Sequence, residues 1–506
     1  MSTPSPYLRP LPEEALLVRA WRGDAPLHLV GGAVRDWLLQ RPLKDLDFAL
    51  PADAIPFARQ VARRLDGAFF VLDAARDVAR VILPAAPGRT VQVLDFAAYR
   101  GPDLKADLRL RDFTVNAMAL DPQQPQNLVD PTGGLRDLKD RLLRLVHPRA
   151  LRDDPLRVLR AVRLAVTLEF RLSPETRAAL PQAAPLLDTV AAERRSEELF
   201  RILEHPRADA ALRVLAQVDA LAALWPEVDA LRDLPPDPDG TRAWDQALRA
   251  VHMLHRLAQA LAQTYDPEDA ANFALGLVSW RLGRFRQALA AHWDARLHPY
   301  RSKFALAVWA AGYHNAGRVL PGPAADLAAR SARLAEKRAQ ALRLSRAEVR
   351  YLGRIVRHHA AVLRWAAQGH IPSAREAHRF YRDAGEAGVD AVLVALAVAL
   401  ARASLAPPHA FWQQHVAVAR ALWEAWWEKH DQIVAPPPLL RGDEVTALVG
   451  RPPGPWVGQA LRALREAQAA GEVTTRAQAE AWVRAWARTH TPPGENGRQG
   501  APADTR

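Results

Sequence analysis

Near residue 150 the hydrophobic pattern of this chain changes period. Upstream, short apolar runs at residues 27–30, 45–50, 69–72, 78–83 and 91–96 read as strands, with helical stretches at 33–40 and after Pro56. Downstream, apolar residues recur at helical spacing, as in Leu156, Leu159, Val162 and Val166, and strand signals vanish. The pattern predicts an α+β class: a compact α/β unit over residues 27–147, preceded by a Pro-rich leader (1–26) and followed almost entirely by helix. Pro and Gly clusters at 234–240, 321–323 and 435–438 cannot continue a helix. The first and last divide the helical part into segments 148–234, 240–434 and 436–490, with 321–323 a subdomain joint inside the second, and the polar stretch 491–506 is expected to be disordered.

At 506 residues the chain exceeds one ordinary core. Lys+Arg 68 against Asp+Glu 56 leaves +12, a balance that favours a polyanionic partner. The cations are nearly all Arg in an Ala-rich background, so compositional bias could produce the same excess. Absence of cysteine excludes disulfides and thiolate metal sites. The N-terminus lacks the pattern of a secretory signal, and the purest apolar run, 391–401, is too short to span a bilayer. A cytoplasmic protein without membrane contact is the expectation, and the oligomeric state is not readable.

Asp45 and Asp47 flank Leu46 on a predicted strand, where period two sends both carboxylates to one face. Such a pair can hold a hard cation, although an isolated Asp-x-Asp is more often a turn or a solvated edge. Upstream, Gly31-Gly32 sits between a strand and a helix, with Arg35 in the first turn. Glycines there let a phosphate approach the backbone. No Gly-Lys-Ser or Gly-Lys-Thr follows, so this is not a P-loop.

Taken together, Gly31-Gly32-Ala33-Val34-Arg35-Asp36 and Asp45-Leu46-Asp47 resemble the opening of the class II tRNA nucleotidyltransferases and the related bacterial poly(A) polymerases. Arg111-Asp112-Phe113-Thr114-Val115-Asn116-Ala117 is similar to that family's second signature. Segments 129–138, 153–160 and 192–199 resemble its third to fifth, with Asp153 where the family usually has Glu. The resemblance implies a polymerase β-like head followed by an all-helical neck, body and tail. It also implies two Mg2+ ions held by Asp45 and Asp47, with Asp95, at a predicted strand end, as a third carboxylate or a strand cap. Gly31, Gly32, Arg35, Arg111, Asp112 and Asn116 would bind nucleotide. Asp154 and Arg157, three apart on a predicted helix, would present one acceptor and one donor fork to a base edge, with Arg160 and Arg163 continuing the face.

Residues 439–443 and 450–458 are similar to the family's tRNA-facing tail. The implied reaction is template-independent addition of C and A, from CTP and ATP, to the 3′ end of tRNA. CC-only or A-only addition, poly(A) synthesis, and an RNA-binding protein with a silent head are the alternatives. In this family the nucleotide choice depends largely on a flexible loop between the metal carboxylates and the Arg111 signature. Here that interval, residues 72–80, lacks the expected Gly-Thr turn, which favours a partial specialist, while complete CCA addition remains the broader expectation. A phosphohydrolase domain is not expected, because the only His-Asp pair, His430-Asp431, has no well-placed Asp partners.

Overall fold

The computed structural model describes residues 9–262, 272–298, 301–403 and 407–490, so the 491–506 stretch lies outside the described residues. Two compact units divide between Pro226 and Glu227.

The first unit is built on seven strands: β1 (His28–Val30), β2 (Asp45–Leu50), β3 (Ala68–Asp73), β4 (Val78–Ile82), β5 (Val93–Ala98), β6 (Ala119–Asp121) and β7 (Gln124–Val129). Their order is β3-β4-β5-β2-β1-β6-β7, with β2 and β5 parallel and the other neighbours antiparallel. The helices used below are α1 (Glu13–Trp21), α2 (Gly32–Leu38), α3 (Ala54–Leu65), α4 (Leu104–Arg109), α5 (Gly134–Lys139), α6 (Ala150–Asp153), α7 (Arg157–Leu168), α8 (Pro174–Ala183) and α9 (Ala192–Leu203).

The alternation in β2 decides what each face of the sheet can do. Leu46, Phe48 and Leu50 are buried on one side. There Phe48 stacks on Phe96 at 5.2 Å, and Phe57 of α3 meets Phe96 edge-on at 5.7 Å. Asp45 and Asp47 take the opposite face. Farther along that face Ala49 joins Val30, Ala117, Ala119 and Leu108 of α4 in a second apolar cluster. The carboxylates thus lie beside an apolar wall.

Several elements depart from the sequence pattern. α3 starts at Ala54, ahead of Pro56, because proline is tolerated in a helix's first turn, where N–H groups have no partner within the helix. β6 and β7 were not expected. The leader carries α1, whose Ala15 and Val18 are fully buried and whose Arg19 pairs with Asp121 of β6 at 2.9 Å. Leu142–Leu143 pairs in parallel with Arg171–Leu172, a short two-stranded patch outside the seven-stranded sheet.

The second unit centres on Ala387–Ala403, whose residues from Val389 to Ala401 are essentially unexposed. Helices Ala243–Ala262, Lys303–Tyr313, Arg346–Ala367 and His409–Trp427 pack around it, as an all-round apolar helix requires. No single described helix is long and apolar enough to cross a membrane. Helices Gly442–Val449, Pro455–Ala469 and Arg476–Thr489 share a separate core of Leu440, Val445, Leu464, Val473 and Val483.

Candidate active site

β1 ends at Val30, opposite Asp47, and the chain turns at Gly31 with φ +73° and ψ −138°, a conformation open essentially to glycine. A Cβ at Gly31 would stand 3.0 Å from Arg111 Nη1 and 3.3 Å from Asp47 Oδ2. Glycine is therefore required twice here, once by torsion and once by the approach of two charged groups. A Cβ at Gly32 would meet Arg35 Nη2 at 3.4 Å.

Strand register assembles the carboxylates. Asp47 lies opposite Asp95 across the parallel β2–β5 pair, and Asp95 lies opposite Arg80 across the β4–β5 pair. Burial first, and the Asp95 charge second, push the Asp47 carboxyl up to about 6, against the pull of Arg111. Asp45 is raised by the same two leading causes, with Arg80 and Arg201 opposing. Asp95 sits in mid-strand rather than at the strand end that the pattern suggested. Both its oxygens accept hydrogen bonds from Arg80, from Nε and Nη2, each at 2.8 Å. Among the described residues no three His, Asp or Glu side chains converge as a ready-made metal cluster. A cation here would meet the β2 pair, with Asp95 engaged by Arg80.

The surrounding arginines are braced. Arg111 donates to buried Asp107 from Nε at 3.2 Å and Nη2 at 3.0 Å, leaving Nη1 toward Gly31. Burial would raise the Asp107 carboxyl, but Arg111 and Arg100 hold it below its ordinary value. Arg35 is buried and spends its guanidinium on Asp36, at 2.9 and 2.8 Å, and on Asn116 Oδ1 at 2.6 Å. Asn116 in turn donates to Asp112 at 3.0 Å, and Arg160 donates twice to Asp112, at 3.0 and 2.7 Å. Against the effect of burial, Arg160 and Asn116 keep the Asp112 carboxyl well below the usual range. A continuous polar chain therefore runs from α2 to α7. It extends to α9 through Glu198, which is buried, accepts from Arg163 at 2.7 Å and Arg201 at 3.1 Å, and lies 3.8 Å from Arg160.

The expected single helix carrying Asp154 and Arg157 is broken. Asp154 is extended (φ −148°, ψ 98°) between α6 and α7, because Pro155 disfavours the helical conformation in the residue before it. Arg157 donates to the carbonyls of Ala150 at 3.1 Å and Leu110 at 3.0 Å, while Asp154 Oδ2 accepts from Arg194 at 2.8 Å. The two residues share a region, since the Asp154 charge acts on both Arg157 and Arg160. Their common helix face does not exist. Glu198, Arg80, Asp107 and Arg194 entered no sequence-level site. Glu198 and Arg194 had a signal in the 192–199 signature, and Arg80 closes the 72–80 interval, while nothing local pointed to Asp107.

Residues 27–144 match the family described as Poly A polymerase head domain, and residues 169–232 match that described as Probable RNA and SrmB-binding site of polymerase A. The chain is 33% identical over 466 residues to the CC-adding tRNA nucleotidyltransferase of Geobacter sulfurreducens, covering 92% of this chain and 93% of that one. It is 33% identical over 468 residues to the A-adding tRNA nucleotidyltransferase of Deinococcus radiodurans, covering 91% and 95%. Similarity to the CCA-adding enzyme of Geobacillus stearothermophilus is 34% over 215 residues, 39% of this chain and 50% of that protein. A solved CCA-adding enzyme in its apo form I has the same fold, with a TM-score of 0.58 at 20% identity over 95% and 94% of the two chains. Identity sustained along nearly all of both chains, on a head that presents two β2 carboxylates beside a glycine turn, places this enzyme in the tRNA nucleotidyltransferase family.

Proposed function

We propose that the chain adds C nucleotides from CTP to the 3′ end of tRNA and stops before the terminal A, using its own side chains in place of a template. The observation that carries this reading is the connection between β3 and β4. Only residues 74–77 separate the two strands. Asp77, at φ +50°, accepts from the backbone N–H groups of Ala54 and Ile55 at 2.8 Å each. The interval that would hold a flexible loop is thus a tight hairpin tied to the start of α3. In the same direction, three relatives aligned along nearly the whole chain are named CC-adding, although a fourth is named A-adding. Complete CCA addition from CTP and ATP is the second reading, favoured by the 34% identity to a CCA-adding enzyme over 39% of the chain.

Asp45 and Asp47 fit magnesium: they are hard oxygen donors on one strand face, with carboxyls raised by burial first and by the Asp95 charge second. When bound, magnesium supplies charge neutralisation at the triphosphate and acidifies the attacking 3′-hydroxyl. Gly31 and Gly32 keep side chains out of the space beside Asp47, so a triphosphate can approach the backbone. Arg111, held from behind by Asp107, turns Nη1 to that space. Asp154 accepts from the amino group of cytosine, and the N–H groups of Arg157 not bound to Ala150 and Leu110 donate beside it. Arg160, through Asp112, fixes α7 to the head, and Arg163, through Glu198, fixes it to α9. Residues 27–147 act as head, 148–234 as neck, 240–434 as body and 436–490 as a tail, the helical parts holding tRNA by phosphates and shape.

The test offers the purified protein three tRNAs, ending before the first C, after one C and after both, with CTP and ATP. Two additions, one addition and none are expected. Growth of the third substrate by an A overturns the stop before A.

A further inference from the structure

We propose that the exposed face of the hairpin formed by helices Leu327–Ala341 and Arg346–Ala367 docks the phosphate backbone of duplex RNA, an inference that rests on tRNA being the substrate. On the longer helix Arg346, Arg350, Arg354, Arg357 and Arg364 are all exposed, while Val349, Leu352, Ile355, Val356 and Val362 are buried. Their spacing of four, four, three and seven residues keeps the arginines on one stripe, and 18 residues of helix extend it over about 27 Å. The turn between the helices adds Arg343, and the preceding helix adds exposed Arg333 and Lys337.

Among the described residues almost nothing answers these charges. Arg357 lies 3.6 Å from Glu336, and Glu348 is buried against Arg301. Among the described residues the structure gives no hydrogen bond or ion pair to Arg333, Lys337, Arg343, Arg346, Arg350, Arg354 or Arg364. Elsewhere in the same unit several arginines find acids, as half-buried Arg375 does with Glu472, exposed Arg379 with Glu466 and half-buried Arg420 with Glu424. Like charges four apart on a helix destabilise it, so the row costs stability unless a polyanion meets it. The stripe carries no exposed ring on which an unpaired base could stack, which favours a duplex backbone over a single strand.

The test compares the full chain carrying Arg346→Gln, Arg350→Gln and Arg354→Gln with a charge-matched control carrying Arg59→Gln, Arg63→Gln and Arg64→Gln on α3. tRNA binding is followed by fluorescence anisotropy across salt. Each lost arginine–phosphate contact removes about 0.7–0.9 from the slope of log affinity against log salt, so the stripe variant is expected to lose about 2. Its affinity near physiological salt should fall on the order of a hundredfold, while the control keeps the wild-type slope. An unchanged slope in the stripe variant, or an equal loss in both variants, overturns the proposal. C addition by the wild type to the same tRNA is measured alongside. An inactive wild type would sink the functional reading, whereas an active one with an insensitive stripe would sink only the docking surface.

Discussion

Gly31 concentrates the physical demands of the site in one residue. Its backbone needs a conformation that other residues occupy at a cost of about 1–3 kcal/mol, and its missing side chain lets Arg111 and Asp47 approach. Gly31→Ala should therefore lower stability by about 1–3 kcal/mol in denaturant titration and reduce nucleotide incorporation by more than tenfold. Near-normal incorporation would show that the turn tolerates a methyl group and that the two charged groups can move apart. The Gly-Gly turn and the Asp-x-Asp pair were legible in the sequence because local geometry alone places them. The partners of Arg35 were not: Asn116 is 81 positions away, and nothing local says that a first-turn arginine is spent on it. Asp154 was misread because the spacing argument overlooked Pro155.

Secondary-structure elements follow the same division. β2 was legible from Asp45-Leu46-Asp47-Phe48-Ala49-Leu50, whose alternation and apolar end announce a strand with one buried face. β7 was not, since Gln124-Pro125-Gln126-Asn127 carries neither β-branched residues nor alternation and is held by pairing with β6. Between α7 and α9, Glu198 gathers Arg163 and Arg201, with Arg160 nearby, in a buried cluster. Removing one partner of such a group leaves buried charge uncompensated. Glu198→Ala should cost about 3–5 kcal/mol, read as a lower unfolding midpoint in denaturant. A loss below about 1 kcal/mol would mean that solvent already screens those arginines.

Each unit of the molecule is held by apolar burial and by a polar knot. In the second unit His292 bonds Asp390 at 3.0 Å and lies 3.3 Å from Glu386. Tyr351 and Trp293 also donate to Asp390, and Lys303 pairs with Glu386. Burial would lower the imidazole, but Asp390 and Glu386 overcome it and raise the group to about 9. A histidine raised in the folded state contributes its stability in full below its unfolded value, about 6.5, and loses it as pH climbs through the folded value. The thermal midpoint of this unit should therefore fall between about pH 6.5 and 9, by roughly 2 kcal/mol or on the order of 5 °C. His292→Gln should flatten that slope, and an equally steep slope in the variant would assign the dependence elsewhere. The most direct measurement concerns the carboxylate pair: Asp45→Asn and Asp47→Asn are compared with wild type for incorporation of labelled CTP into tRNA, with tRNA affinity measured in parallel. Incorporation should drop to background in both variants at nearly unchanged affinity, and full activity in either one would contradict the assignment of nucleotidyl transfer to β2.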